Sequence, residues 1–186
     1  MEWSNEARIK LKCFFELSYH RSVHSNMETE RRRKVWLIRV NNGVNFRNSR
    51  FPFWGVKRGA GGSIKTVVNK LQPGDILCFI TSKPHGGQVI GMAEYTGYYD
   101  REDEPLIQVH TKTNEEQNWI GDEKWDIQIH YRNMYVTERQ NITACVQCAG
   151  VILEYDTFKD SVSRDVYVDY DNFRFYAEPK IFADSV

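Results

Sequence analysis

Lys34-Val35-Trp36-Leu37-Ile38-Arg39-Val40, closed by Asn41-Asn42-Gly43, is the stretch on which the reading of this chain turns. Seven residues rich in β-branched and aromatic side chains suit a pleated, largely buried surface. Asn and Gly then tolerate the positive φ of a tight turn. The segment therefore reads as a strand with a sharp end. Working outward, Ile76 to Thr81 and Val89 to Tyr99 repeat the pattern. The first follows a Pro73-Gly74-Asp75 turn, and the second carries Gly91 where close packing is expected. Leu106 to His110, Trp125 to Val136, Gly150 to Tyr155 and Val166 to Tyr176 read as further strand material. Helical signal is sparse. Ser63 opens a short helix as its N-cap, with Ile64, Val67, Val68 and Leu71 on one side. Residues 44–62 read as one long irregular segment, a length that within a compact domain points to function. Many strands with few helices imply a closed or nearly closed barrel.

On the N-terminal side, apolar residues at 9, 11, 13, 15, 17 and 19 show period two and imply a strand. A short helix with Leu11, Phe14, Phe15 and Ser18 on one side is the alternative. His20 to Arg33 is polar and reads as a linker. The expected division is an N-terminal extension over 1–33 and a single domain over 34–186, in keeping with 186 residues.

The net charge is zero, and the average hides a polarised chain. Residues 31–70 carry eleven Lys and Arg and no acid, whereas 91–126 carry ten acids against Arg101, Lys112 and Lys124. A basic block is the footprint of a phosphate-binding face. The competing reading is that the two blocks pair with each other in the fold. No apolar run approaches the ~20 residues of a membrane span, and Met1 to Lys12 is not a signal peptide. The expected location is intracellular, nuclear or cytoplasmic, with Cys13, Cys78, Cys145 and Cys148 reduced. The sequon at Asn141 has no meaning without secretion.

Catalytic and metal chemistry find little support. Cys145-Val-Gln-Cys148 has the spacing of half a zinc site, but a second pair is missing and only His110 or His130 could join it. A thioredoxin-like context for redox use is absent. Gly59-Ala-Gly-Gly62 lacks the Lys-Ser/Thr of a phosphate loop. Asp75 and Glu94 could form a nuclease-like pair, although a turn closer and a strand-end carboxylate explain them better. We expect no enzyme activity of its own and no cofactor. What remains is Phe46 to Arg58, where Phe46, Phe51, Phe53 and Trp54 interleave with Arg47, Arg50, Lys57 and Arg58. Rings that stack bases beside cations that hold phosphates have this composition.

In order and approximate spacing, several segments over 34 to about 100 resemble the EVE domain, a PUA-like family related to YTH domains. They are Trp36-Leu37-Ile38-Arg39, Trp54-Gly55-Val56-Lys57-Arg58, Leu71 to Phe79 around Gly74-Asp75, Thr81-Ser82-Lys83, and Val89-Ile90-Gly91-Met92-Ala93-Glu94. The chain departs from that pattern at its Trp-Gly junction, around 59–62 and in its first 33 residues. The resemblance implies an α+β, mainly β, PUA-like (EVE/YTH-type) β-barrel with a few short helices. It also implies a reader of nucleic acid, DNA or RNA, that takes a methylated or hydroxymethylated base into an aromatic pocket, with base flipping where the strand is paired. Carried onto this chain, Trp54 becomes a pocket wall, Arg39, Asn41 and Asn42 its mouth, Ser82 and Lys83 the facing loop, and Tyr95 a neighbour. Trp119 and Trp125 are the second rings, while Arg47, Arg50, Lys57 and Arg58 hold phosphates. The alternatives are an accessory subunit of an RNA- or DNA-modifying enzyme and a protein-interaction module that works through the acidic block.

Overall fold

A computed structural model describes residues 31–102, 112–138, 151–155 and 169–183. Everything described from Arg33 onward belongs to one compact unit. It is mainly β: seven strands form a single curled sheet, with a few short helices beside it. The strands are β1 (Val35–Arg39), β2 (Phe53–Val56), β3 (Ile76–Ile80), β4 (Val89–Asp100), β5 (Ile127–Val136), β6 (Ile152–Glu154) and β7 (Glu178–Pro179). The helices are α1 (Val44–Asn48), α2 (Ser63–Val68) and α3 (Tyr170–Phe173). Spatial order is β2-β5-β4-β3-β1-β6, and β7 pairs with β5. Among the described residues β2 and β6 are the two ends of that path, so the sheet curls without closing on itself.

The strand expected at 34–40 is β1, and its position follows from its composition. It is an interior strand, next to the end strand β6, parallel to β3 in the register Val35↔Ile76 to Arg39↔Ile80 and antiparallel to β6. A strand buried on both faces reads as a continuous apolar run, which is what Val-Trp-Leu-Ile presents. Alternation assigns Trp36, Ile38 and Val40 to one apolar cluster and Leu37 to another. β3 divides in the same way, Leu77 and Phe79 against Ile76, Cys78 and Ile80. The larger cluster gathers the rings of Phe46, Phe53, Trp54, Trp119 and Tyr131. The smaller is covered by Tyr170 and Phe173 of α3, whose first turn is capped by the Asp169 carboxylate. The Cys78 thiol is buried within it, and burial pushes its pKa well above the ordinary thiol value.

Asp75 locks the entry to β3. Its carboxylate is fully buried and accepts from the Trp36 indole N–H at 2.9 Å, from Gln72 N at 3.0 Å and from Lys34 N at 3.1 Å. It is a turn and strand lock with its lone pairs already used. Glu94 lies one strand over, engaged by Arg132, Arg33 and Asn133. Gly91 is where close packing occurs: an added Cβ would sit 2.6 Å from Cζ of Phe46.

Three expectations are corrected. Residues 44–62 are not one irregular segment, since α1 and β2 lie within them. Both are too short for periodicity to announce. Ser63 is the first residue of α2 and not its cap; Gly62, at φ +75°, holds the N-cap position. Where 166–176 reads as a strand, the described part holds α3, because Asp169 supplies a capping carboxylate that outweighs the aromatic strand signal. The period-two segment at 9–19, Cys13, Cys145, Cys148, His110 and Leu106 lie outside the described residues. No helix among the described residues is long and apolar enough to cross a membrane, and they contain no cluster of three His, Cys, Asp or Glu placed to hold a metal.

A tryptophan-walled cavity at the end of β1

Where β1 ends, the chain turns through Asn41, at φ +51°, and Asn42 into α1. This turn forms one side of a cavity of about 790 Å3, lined there by Arg39, Asn41 and Asn42. Trp54, Gly55 and Val56 of β2, with Lys57 just after it, line it as well. Gly59, Ser63 and Ile64 close a second side, and Ile120 to Glu123 with Trp125 close a third. The volume falls within the ~300–1,000 Å3 typical of small-molecule sites.

Trp54 is 8% exposed. Its ring packs against Trp119, centroids 4.9 Å apart, and edge-on to Phe46 at 6.3 Å. Trp119 in turn meets Trp125 nearly at right angles, centroids 6.1 Å apart. The tryptophans therefore form a chain in which Trp54 and Trp125 line the cavity and Trp119 stands behind them. Trp119 is anchored by its indole N–H to Ser49 Oγ at 2.8 Å, and Trp125 to Asn114 Oδ1 at 2.9 Å. Trp36 is spent on Asp75. Trp54, whose side chain lines the cavity, has no acceptor for its indole N–H among the described residues.

Glycine makes room for this arrangement. A Cβ on Gly55 would lie 2.4 Å from Cγ of Trp125, so the Trp-Gly junction admits the second ring by omitting a side chain. The Lys57 ammonium donates to the Lys124 carbonyl at 2.6 Å and sits 5.3 Å from the Trp125 ring centre. That cation–π contact fixes the ring further. The loop before Trp125 is pinned from below by Gln117, which is fully buried. Its amide oxygen accepts from Arg50 N and Phe51 N, and its amide nitrogen donates to the carbonyls of Phe51 and Phe53.

Arg58 and Lys65 bracket the Gly59–Ser63 side of the cavity, and both pair with Asp100, whose side chain is 1% exposed. Burial by itself would raise the Asp100 carboxyl. Hydrogen bonds from Lys65, the Glu102 backbone and Arg58, together with the Arg58 charge, outweigh it and hold the pKa below the ordinary value. Arg58 reaches Glu102 as well, and its backbone N–H donates to Asp126.

The structure thus brings Trp54, Trp125, Arg39, Asn41, Asn42 and Lys57 to one cavity. Ser82 and Lys83 do not line it, although Ser82 Oγ reaches Asn41 Oδ1 at 3.4 Å and its N–H donates to the Asn41 carbonyl at 2.7 Å. Tyr95 lies in the core at 3% exposure, its hydroxyl pKa pushed up to about 12 by burial and by the nearby Tyr98 and Asp75. Arg47 and Arg50 project from α1 and the segment after it, Arg47 lying 3.9 Å from Glu138. Arg58 is committed to the acidic block. That pairing, with Lys65–Asp100, joins part of the two charge blocks to each other. In the sequence Ser63 and Ile64 figure only as the start and face of a helix, and no motif assigns Asn45 or the 120–123 loop to the site. The only advance sign of the loop was its acidity, which gives no hint of an aromatic neighbour.

Comparison with known proteins leaves the fold without a family. No family model matches the chain, and no curated protein does. Among solved structures, a Pseudomonas putida protein is 13% identical, with a TM-score of 0.35, covering 56% of this chain and 70% of that one. A hypothetical protein from Leishmania major is also 13% identical, with a TM-score of 0.33, covering 80% and 87%. Scores of this size carry no argument about fold or function.

Proposed function

We propose that this chain is a nucleic-acid-binding module of PUA-like, EVE/YTH type, and that its cavity receives one unstacked nucleobase bearing a methyl or hydroxymethyl group. The observation that carries the proposal is the cavity itself, with Trp54 and Trp125 on its wall beside Arg39, Asn41 and Asn42. Aromatic walls suit the face of a base. Amide and guanidinium groups, the Trp54 N–H and the Asp122 and Glu123 carboxylates at the rim suit its edge. A single methyl group contributes only about 0.8 kcal/mol on burial, so discrimination needs this combination of close walls and directed polar groups. Exposed Arg47 and Arg50, together with Lys57, supply phosphate contacts, whereas Arg58 acts by holding the cavity wall. Any catalysis belongs to a partner.

Fluorescence titration tests this with short DNA and RNA strands, unmodified or carrying 5-methylcytosine, 5-hydroxymethylcytosine or N6-methyladenine, at two salt concentrations. Preference for one modified strand, lost in Trp54→Ala, is the expected result. Weak binding to every strand that disappears with salt would leave only backbone electrostatics and defeat the proposal.

A further inference from the structure

Five large apolar side chains are exposed among the described residues, and three of them line the mouth of the cavity: Val44 at 38%, Ile120 at 73% and Val151 at 40%. Ile120 is also held rigidly. The Asn45 side chain grips its backbone from both sides, Oδ1 accepting from Ile120 N at 2.8 Å and Nδ2 donating to Ile120 O at 3.1 Å. Asn114 Nδ2 donates to the next carbonyl, Gly121, at 2.9 Å, and Trp119 before it is anchored to Ser49. An exposed loop tip ordinarily retains its freedom. Here the ordering entropy is already spent in the free protein, so whatever covers Ile120 gains apolar burial without that cost.

We infer that Ile120, with Val44 and Val151, forms a second subsite, which packs against the face of the nucleobase adjoining the one in the cavity. This rests on the cavity reading and adds its neighbour. The occupant is argued from charge. Val44 and Asn45 belong to the helix that carries Arg47, Arg50 follows it, and 31–70 holds no acid. Asp122 and Glu123, directly after Ile120 and Gly121, repel phosphate. A strand whose backbone runs on the α1 side therefore places a flanking base over the apolar rim while its phosphates meet the arginines. Apolar side chains that contact unstacked bases are a general device of nucleic-acid binding.

The test compares mononucleosides with trinucleotides of the same central base, drawn from adenine, cytosine, N6-methyladenine, 5-methylcytosine and 5-hydroxymethylcytosine. Titrations run at high salt, where phosphate contacts are weakened. Wild-type protein is expected to bind its preferred trinucleotide more tightly than the mononucleoside. Ile120→Ala should lower trinucleotide affinity roughly five- to tenfold, as expected for about two or three methyl-sized groups partly covered, and lower mononucleoside affinity by markedly less, because Ile120 also touches the cavity; an equal loss for both ligands overturns the subsite. Because Ile120 is exposed, the variant should keep the wild-type unfolding midpoint. An unchanged trinucleotide affinity in Ile120→Ala, or no gain from flanking bases in the wild type, overturns the subsite and leaves the cavity reading standing. Failure of every mononucleoside to bind, or binding indifferent to Trp54→Ala, defeats the cavity reading and the subsite with it.

Discussion

Gly55→Ala isolates the feature on which the cavity depends. The new Cβ would lie 2.4, 2.7 and 2.8 Å from Cγ, Cδ1 and Cβ of Trp125. Ordinary contact begins near 3.4 Å, so Trp125 must retreat by about 1 Å. Its indole N–H is held by Asn114, and Lys57 sits beside its ring. The retreat therefore either breaks a 2.9 Å hydrogen bond or moves the loop that carries it. Overpacking of this kind costs about 1–3 kcal/mol. The expected result is an unfolding free energy in urea lowered by that amount, changed tryptophan fluorescence, and at least tenfold weaker binding of the preferred modified strand. Gly97→Ala is the matched control: it lies in the same sheet, and its Cβ would meet nothing within 4 Å. If Gly55→Ala unfolds like Gly97→Ala and binds like the wild type, Trp125 is not a cavity wall and the site as drawn is wrong.

Trp54→Phe keeps an aromatic wall but removes the N–H; losing one hydrogen bond of about 0.5–1.5 kcal/mol should weaken ligand binding up to about tenfold, read by titration, and the smaller ring should also lower the unfolding free energy because it leaves a void against Trp119 and Phe46. Asp100→Asn should change acid stability. Because the carboxyl is held below its ordinary value of 3.8, its contribution is fully present above that pH and is lost as pH falls through the depressed value. Denaturant midpoints measured from pH 6 downward should therefore drop below pH ~4 in the wild type and drop less steeply in the variant. Gln117→Ala leaves Phe51 N without its acceptor, while Arg50 N keeps a bond to the 117 carbonyl; about 1–3 kcal/mol should be lost in urea unfolding. Arg47→Ala with Arg50→Ala should reduce the slope of log affinity against log salt by up to about 2 without changing which modified strand is preferred.

How much of this was legible in the chain depends on the range of the forces involved. Strand identity is local: Val35 to Ile38, Ile76 to Ile80 and Val89 to Ala93 are continuous stretches without a polar side chain, and their character follows from residue type alone. The sequence by itself also determined that Trp54 would stand next to a glycine and that 31–70 would be basic. It could not determine which tryptophan would be wall and which would be backing. Trp54, Trp119 and Trp125 have the same intrinsic preferences. They differ because Ser49 and Asn114 capture the N–H groups of two of them, while the third has no acceptor among the described residues. Likewise, Arg58 and Lys57 are adjacent in the chain, yet one is drawn to the buried Asp100 and the other to the rim of the cavity. The mouth is built from Asn45 and Ile120, 75 residues apart. Such pairings carry no periodicity and no motif. They exist because β2 and β5 become neighbours across the sheet and bring the loop before β5 against α1, a matter only the tertiary structure decides.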